Sequence, residues 1–316
     1  MKLLIELPTW MGDAVMATPA IENLVNFFNS PEIVLIGSFI SVETLKNHPN
    51  VNKTIILDKK ITSLVKVSNN LSKFDAFFTF RSSFRAKFLK FIVSANNKYQ
   101  FNKNKYSNRH QVEKYNDFVN DSLNIDFPAG QLRIHTNNSK KNKSKKILGI
   151  NPGASYGSAK RWYPQKFAEV VEKLSKQFDI IIFGSTNEKD FAKEIEKLLI
   201  AKSINNFQNL AGKTTIAELI NCISNLDLFI TGDSGPMHLA ASFQIPTIAI
   251  FGPTKDDETS QWMNDHSIVL KKNLDCQPCM KRTCPLKHHK CMKLIKAEEV
   301  IDSIPRVFQI SSSKKP

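Results

Sequence analysis

Leu226-Asp227-Leu228-Phe229-Ile230-Thr231-Gly232-Asp233-Ser234-Gly235-Pro236-Met237-His238-Leu239-Ala240-Ala241 passes from an apolar run through a tight turn into a helical pattern. The apolar run has the length and composition of a buried strand. Pro236 suits the first turn of a helix, where its missing N–H costs nothing. The unpaired N–H groups and the positive dipole end of such a helix attract phosphate. Asp233 beside them repels an anion, so a polyol such as a sugar is its natural partner. The segment reads as half of a nucleotide-sugar site. Ser234, Gly235, Met237 and His238 stand at the phosphate end, and Asp233 at the sugar.

Working outward, the same alternation recurs along the chain. Strands are expected over 3–7, 33–37, 54–57 and 75–80, with helices over 14–28, 84–93 and 110–123. Strands at 147–151, 180–183, 227–231 and 247–251 alternate with helices at 165–177, 188–200, 215–225 and 237–243. A last helix over 297–304 is expected to close before Pro305. Short continuous apolar runs separated by helices are the mark of a doubly wound parallel sheet. From 137 to 146 the chain is polar and rich in Lys, Asn and Ser, which marks a solvated linker. The expected class is therefore α/β, with two Rossmann-like, doubly wound domains at 1–136 and 147–316 and a basic linker at 137–146. The terminal helix (297–310) has the option of packing back on the first domain. In such sheets ligands bind outside the carboxyl ends of the strands.

With 316 residues, 41% of them apolar, the chain can bury a sizeable core, and two domains fit its length better than one. No run of about 18 apolar residues is present to span a membrane. The start, Met1-Lys2-Leu3-Leu4-Ile5-Glu6-Leu7-Pro8, lacks the apolar region and cleavage site of a signal peptide, so a cytoplasmic protein is expected. A net charge of +15 favours nucleic acid, an anionic membrane face or a phosphorylated substrate, and compositional bias accounts for it equally well.

Three further strand ends carry polar residues. Pro8-Thr9-Trp10-Met11-Gly12-Asp13 places Asp13 in a loop before a helix, where a carboxylate can take a proton from an attacking hydroxyl. An acidic residue stabilised by the helix dipole explains Asp13 as well. Asn151-Pro152-Gly153-Ala154-Ser155-Tyr156-Gly157-Ser158-Ala159-Lys160-Arg161-Trp162 lets the backbone approach a ligand closely. In it Ser155 and Ser158 can donate to phosphate, and Lys160 or Arg161 can neutralise it. The spacing is not that of a P-loop. Phe183-Gly184-Ser185-Thr186-Asn187-Glu188 offers Glu188 to a ribose hydroxyl pair, although a helix's first turn would carry a glutamate anyway. Phe251-Gly252-Pro253-Thr254 is expected near Asp233, as part of the site or as a turn.

Cys222 stands alone in a helical pattern. Cys276, Cys279, Cys284 and Cys291 crowd into one loop at spacings x2, x4 and x6. They can supply thiolates to zinc or an iron–sulfur centre, with His288 and His289 as spare ligands. The uneven spacing suits reduced thiols in an ordered loop better. Disulfides are not expected in a cytosolic protein.

Taken together, Gly12-Asp13-Ala14-Val15-Met16 with Pro19-Ala20, Pro152-Gly153-Ala154 leading to Lys160-Arg161-Trp162, and Gly232-Asp233-Ser234-Gly235-Pro236-Met237-His238 resemble glycosyltransferase family 9, the heptosyltransferases. The order is the same and the resemblance covers nearly the whole chain. The wording of the second motif and of the cysteine loop resembles the branch that adds the second heptose of the lipopolysaccharide inner core.

The resemblance implies a GT-B fold, with two Rossmann-like domains facing a central cleft. It implies ADP-heptose as donor, held mainly by the C-terminal domain, and a lipid-linked acceptor, heptose–Kdo–lipid A, at the N-terminal one. Transfer would invert the anomeric carbon without a covalent intermediate. Asp13 matches the general base, Lys160 a basic residue near the donor phosphates, Asp233 an acidic residue near the donor sugar, and Glu188 a ribose-binding glutamate. No Asp-x-Asp metal-binding pair stands at a strand end, and no cofactor is expected to be required.

The basic charge then has a use at the inner face of the inner membrane. Arg81, Arg85, Lys87 and Lys90, followed by Lys98, Lys103, Lys105, Arg109 and Lys114, are expected to steer the protein to that anionic surface. The helix 84–93, with Phe84, Phe88, Leu89, Phe91 and Ile92, can dip into the interface, but core on one side and solvent on the other is the preferred reading. The alternatives are a first-heptose or other core enzyme of the same family, a non-catalytic nucleotide-sugar-binding protein, and a nucleic-acid-binding metalloprotein. The last explains none of the glycine turns and lacks interleaved aromatic and basic residues, so no nucleic-acid partner is expected.

Overall fold

In the computed structural model, residues 1–58, 60–136 and 144–309 are described. The chain divides into two units, Met1–Asn137 and Asn138–Pro316. Most of the expected linker, 137–143, and the last residue of the expected terminal helix, 310, lie outside the described residues.

The first unit runs β1 (Lys2–Glu6), α1 (Met11–Met16), α2 (Thr18–Phe27), β2 (Glu32–Gly37), α3 (Phe39–Leu45), β3 (Val51–Ile56), α4 (Ile61–Asn69), β4 (Phe74–Thr79), α5 (Phe84–Ile92), β5 (Ala95–Gln100) and α6 (Gln111–Leu123). All its strand pairs are parallel, in the order β3-β2-β1-β4-β5. Leu3, Leu4 and Ile5 of β1 are fully buried, as a central strand covered on both faces requires. The order reverses between β1 and β4, so their carboxyl ends flank the switch point.

The expected helix over 14–28 is two helices. They meet at Ala17, where the Thr18 hydroxyl donates to the Val15 carbonyl at 2.7 Å and Pro19 occupies the first turn of α2. Proline has no N–H with which to continue the first helix. Because α1 starts at Met11, Asp13 lies in a helical first turn rather than in a preceding loop. The edge strand β5 was not expected, because Ala-Asn-Asn-Lys-Tyr-Gln has no apolar run. A strand paired on one side only needs none.

The second unit runs β6 (Lys146–Asn151), α7 (Pro164–Leu174), β7 (Phe178–Ile182), α8 (Lys189–Ala201), β8 (Phe207–Asn209), α9 (Ile216–Ser224), β9 (Leu228–Gly232), α10 (Gly235–Ser242), β10 (Thr247–Ile250), α11 (Asp256–Thr259), β11 (Ser267–Leu270), α12 (Lys290–Lys293) and α13 (Ala297–Gln309). Its strands are also all parallel, ordered β11-β10-β9-β6-β7-β8, with the reversal between β6 and β9. The core joins Leu148 and Ile150 to Leu228, Ile230 and Ile248, covered by Trp162, Phe167 and the helices.

The closing helix continues through Pro305 instead of ending before it, and packs on α7, β10 and β11 of its own unit. Burial of Val300, Ser303 and Val307 on either side of the proline offsets the backbone bond it removes.

Candidate active site

The carboxyl ends of β6 and β9 are neighbours in the sheet, so the Pro-Gly-Ala loop and the Gly-Asp-Ser turn are forced together. Asn151, the last residue of β6, reaches across the switch point. Its buried amide donates to Ser234 Oγ at 3.2 Å and to Thr231 Oγ1 at 3.4 Å. The Thr231 and Ser234 hydroxyls are themselves 3.1 Å apart. Gly232 brings the end of β9 against the 160 loop, since a Cβ there would stand 3.3 Å from the Lys160 carbonyl oxygen.

Lys160 and Asp233 form an ion pair, Nζ to Oδ2, at 2.5 Å. Thr254, in the loop that follows β10, donates its hydroxyl to the same oxygen at 2.7 Å. Three strand ends thus converge on one carboxylate. The ammonium of Lys160 also lies over the Tyr156 ring, 4.7 Å from its centroid, and the Arg282 guanidinium lies 5.4 Å from the same centroid. Of the two cations left open by the sequence, Lys160 is the one on Asp233, while the Arg161 guanidinium lies over Phe191.

Glu188 is buried. It accepts the Ser185 N–H at 2.6 Å and closes a capping box on the short 3-10 turn Thr186–Glu188 that leads into α8. A Cβ on Gly153 would fall 2.2 Å from the Glu188 carboxyl carbon, so only glycine lets the Pro-Gly-Ala loop cross this carboxylate. Ser155 and Ser158 are exposed on that loop, and Gly235 is the first residue of α10. Met237 and His238 are buried. The Met237 side chain packs with Ala249 and Phe251, and its N–H donates to the Ser234 carbonyl at 3.1 Å.

The cysteine loop clamps this site. Arg282 O accepts from Ala159 N–H at 3.0 Å, and a Cβ on Gly157 would meet that same oxygen at 2.3 Å. His289 bridges Ala159 O (Nε2, 2.8 Å) and Tyr163 OH (Nδ1, 3.1 Å). Tyr156 donates its hydroxyl to Met280 O at 2.7 Å. On the other side Met280 N–H donates to Pro253 O at 2.8 Å and Gln277 to Gly252 O at 2.6 Å. One loop therefore holds both the Lys160 and the Thr254 segments. Sequence reading missed this role for Tyr156, Arg282 and His289, and it missed Asn151, whose signal was a polar residue closing an otherwise apolar strand.

Cys276, Cys279, Cys284 and Cys291 line one small pocket with His288 and His289. Burial, and then the neighbouring Cys284, Cys279 and Cys276, push the Cys291 thiol up to about 11. Four convergent thiols are a donor set that fits a thiolate-binding metal. Their ligand atoms are not among those that close to within 4.8 Å of one another in the described residues.

In the first unit, Asp13 is half-buried in α1, at the helix that follows the central strand. Burial, and then the Asp13 carboxylate, hold the Tyr115 phenol of α6 well above its ordinary value. Across the switch point of this sheet, fully buried Glu6 accepts from Thr79 Oγ1 at 2.6 Å and from Arg81 at 3.4 Å. Desolvation raises the Glu6 pKa, against the opposing pull of Thr79 and Arg81. The structure therefore gathers Lys160, Asp233, Ser234 and Glu188 around one switch point, and sets Asp13 beside the central strand of the other unit.

The profile of glycosyltransferase family 9 (heptosyltransferase) matches residues 76–290. A Campylobacter jejuni protein named lipooligosaccharide heptosyltransferase 2 is 43% identical over 98% of this chain and 99% of its own length. Among solved structures, Escherichia coli ADP-heptose lipopolysaccharide heptosyltransferase II superposes with a TM-score of 0.83 at 19% identity, over 99% of this chain and 100% of that one. A family 9 glycosyltransferase from Veillonella parvula gives 0.81 at 19% identity, over 99% of this chain and 97% of the other. The fold is thus GT-B, and the chain belongs to glycosyltransferase family 9, the heptosyltransferases.

Proposed function

We propose that this enzyme moves a heptose from ADP-heptose to the first heptose of a lipopolysaccharide inner-core acceptor, heptose–Kdo–lipid A. The observation that carries the reading is the cluster of Lys160, Asp233 and Thr254 at the switch point. A cation and a carboxylate side by side on adjacent strand ends suit a sugar joined to a diphosphate. Lys160, Ser155, Ser234, Gly235 and the start of α10 meet the phosphates. Asp233, oriented through Oδ2 by Lys160 and Thr254, presents Oδ1 to sugar hydroxyls. Glu188 meets the ribose. Met237 and His238 act from the core by fixing the helix start.

In the transfer, an acceptor hydroxyl oxygen attacks the anomeric carbon from the face opposite the diphosphate. The carbon–oxygen bond to the β-phosphate breaks, its electron pair leaves with ADP, and the hydroxyl proton passes to Asp13. Lys160 and the dipole of α10 stabilise the charge that grows on the leaving diphosphate, so the proposed step uses no metal cofactor. The cysteine loop is proposed as a structural metal site only. Metal content of the reduced chain, with Cys276→Ser as control, tests it.

We further infer a cytoplasmic enzyme, peripheral on the inner face of the inner membrane. No helix among the described residues is long and apolar enough to cross a membrane. Phe84 (78% exposed) and Phe91 (80%) stand out from α5 with Lys87 between them, while Ala86 and Leu89 face inward. That outer stripe supports docking to anionic lipid. Lys87→Glu with Phe91→Ser should abolish binding to anionic liposomes, and unchanged binding sinks the docking.

The deciding experiment measures ADP release from ADP-heptose with acceptors bearing one heptose or none. Turnover on the one-heptose acceptor alone is expected. Turnover on the heptose-free acceptor moves the assignment to the first-heptose enzyme, and none with either refutes the donor.

A further inference from the structure

Away from the candidate active site, Glu22, His48 and His135 bring three ligand atoms within 4.8 Å of one another. They come from separate parts of the first unit: α2, the turn between α3 and β3, and the segment that follows α6 to the end of the unit. Glu22 Oε1 lies 3.1 Å from His48 Nε2 and 3.6 Å from His135 Nε2. A tetrahedral zinc ion with bonds of about 2.1 Å separates its ligand atoms by about 3.4 Å. Both spacings are close to that value, the shorter one being at present a hydrogen bond between His48 and Glu22.

Among the described residues, the buried His135 Nε2 has no hydrogen-bond partner, and it lies 3.6 Å from the Glu22 carboxylate. The two imidazoles meet edge to face, with centroids 4.8 Å apart. Thr18, Ile21, Leu35, Leu45 and Val51 wall the small pocket behind them. Arg133 sits 3.3 Å from Glu22 Oε2, the other oxygen, and so leaves Oε1 to a ligand. Its backbone N–H donates to Thr18 Oγ1 at 3.0 Å, and Leu132 and Ile134 are buried on either side.

We propose that Glu22, His48 and His135 form a binding site for a divalent transition-metal ion of the zinc class, with the fourth position held by water. Two imidazoles and one carboxylate select such an ion over magnesium or calcium, which prefer oxygen ligands throughout. The bound ion fastens the 132–135 strap to α2. Coordination needs a lone pair on His48 Nε2, so the ring proton moves to Nδ1. That gives up the 3.2 Å bond His48 Nδ1 now accepts from the Asn50 N–H and the 3.1 Å bond its Nε2 now donates to Glu22 Oε1. The site therefore binds more weakly than one built without those bonds.

The test is a cobalt(II) titration of the metal-stripped full chain, read by its visible spectrum. Weak d–d bands are expected that disappear in His48→Gln and His135→Gln, while any intense thiolate charge transfer from the cysteine loop is untouched. Loss of either ligand should weaken binding by more than the about 10–100-fold that removal of an outer-shell partner costs. Both variants should retain heptose transfer, since neither residue belongs to the transfer site. In the wild type, zinc should protect His48 and His135 from diethyl pyrocarbonate, mapped by mass spectrometry, while magnesium should not. Variants that bind cobalt as the wild type does, or histidines that zinc leaves unprotected, overturn the site.

Discussion

Lys160 Nζ and Asp233 Oδ2 are 2.5 Å apart, with 12% and 7% of their side chains exposed, although 73 residues separate them in the chain. Each neutralises the other, so removing one leaves a charge stranded in a poorly solvated place. Breaking such a pair costs about 3–5 kcal/mol. Lys160→Met should lower the urea midpoint accordingly and weaken donor binding. The double variant Lys160→Met with Asp233→Leu should recover most of the stability but no turnover. A single variant as stable as the wild type would show that the pair is not a buried one.

Asp13→Asn keeps the shape of α1 and removes only the proposed proton acceptor. Turnover should fall by about 10²–10⁴, the usual contribution of a general base. The donor KM should stay put, because the proposed donor contacts all lie in the second unit. A loss that appears in KM instead would make Asp13 a binding residue. Steady-state kinetics with varied ADP-heptose separates the two.

His289 touches the Lys160 segment from outside the proposed ligand site, bridging Ala159 O and Tyr163 OH. His289→Ala should raise the donor KM about tenfold, which corresponds to about 1.4 kcal/mol, with a smaller change in kcat. His289→Gln retains an N–H for Ala159 O and should restore much of the loss. If both variants match the wild type, the clamp does not position Lys160.

The thiol of Cys291, pushed up to about 11, stays protonated at neutral pH. Thiolates, not thiols, are alkylated. In the metal-free chain, iodoacetamide should modify Cys276, Cys279 and Cys284, which are half-buried, before Cys291. Peptide mapping of partly labelled protein checks the order. Early labelling of Cys291 would mean that the loop opens in solution.

Glu6 is held above the ordinary glutamate pKa by burial. The folded chain therefore keeps a proton that the unfolded chain releases in the interval between the two values. Stability falls as pH rises through that interval. Glu6→Gln can still accept from Thr79 and has nothing to titrate, so its urea midpoint should vary less with pH there. A variant with the wild-type slope would place the titration elsewhere.

Polarity at strand ends was legible where the turn chemistry is local. Gly-Asp-Ser-Gly-Pro after an apolar run announces strand, turn and helix within a few residues, and the structure has β9 and α10 there. β5 and β8 were not legible: an edge strand of polar residues and one of three residues lack any periodic signal. The break at Ala17 also escaped, although Pro19 carries its local cause, and so did the helix through Pro305, which packing rather than propensity sustains.

The alternation of buried strands and helices, the glycine turns at their carboxyl ends and the identity of the residues placed there follow from the amino-acid order, since each depends on neighbours within one or two turns. Which strand ends become neighbours does not. That depends on the crossovers that set β6 beside β9 and β9 beside β10, and so bring Lys160, Asp233 and Thr254 to one point. The clamp by the cysteine loop and the meeting of Glu22, His48 and His135 are decided at the same level. Side chains far apart in the chain meet only where packed elements have fixed their distances, and no local pattern encodes that.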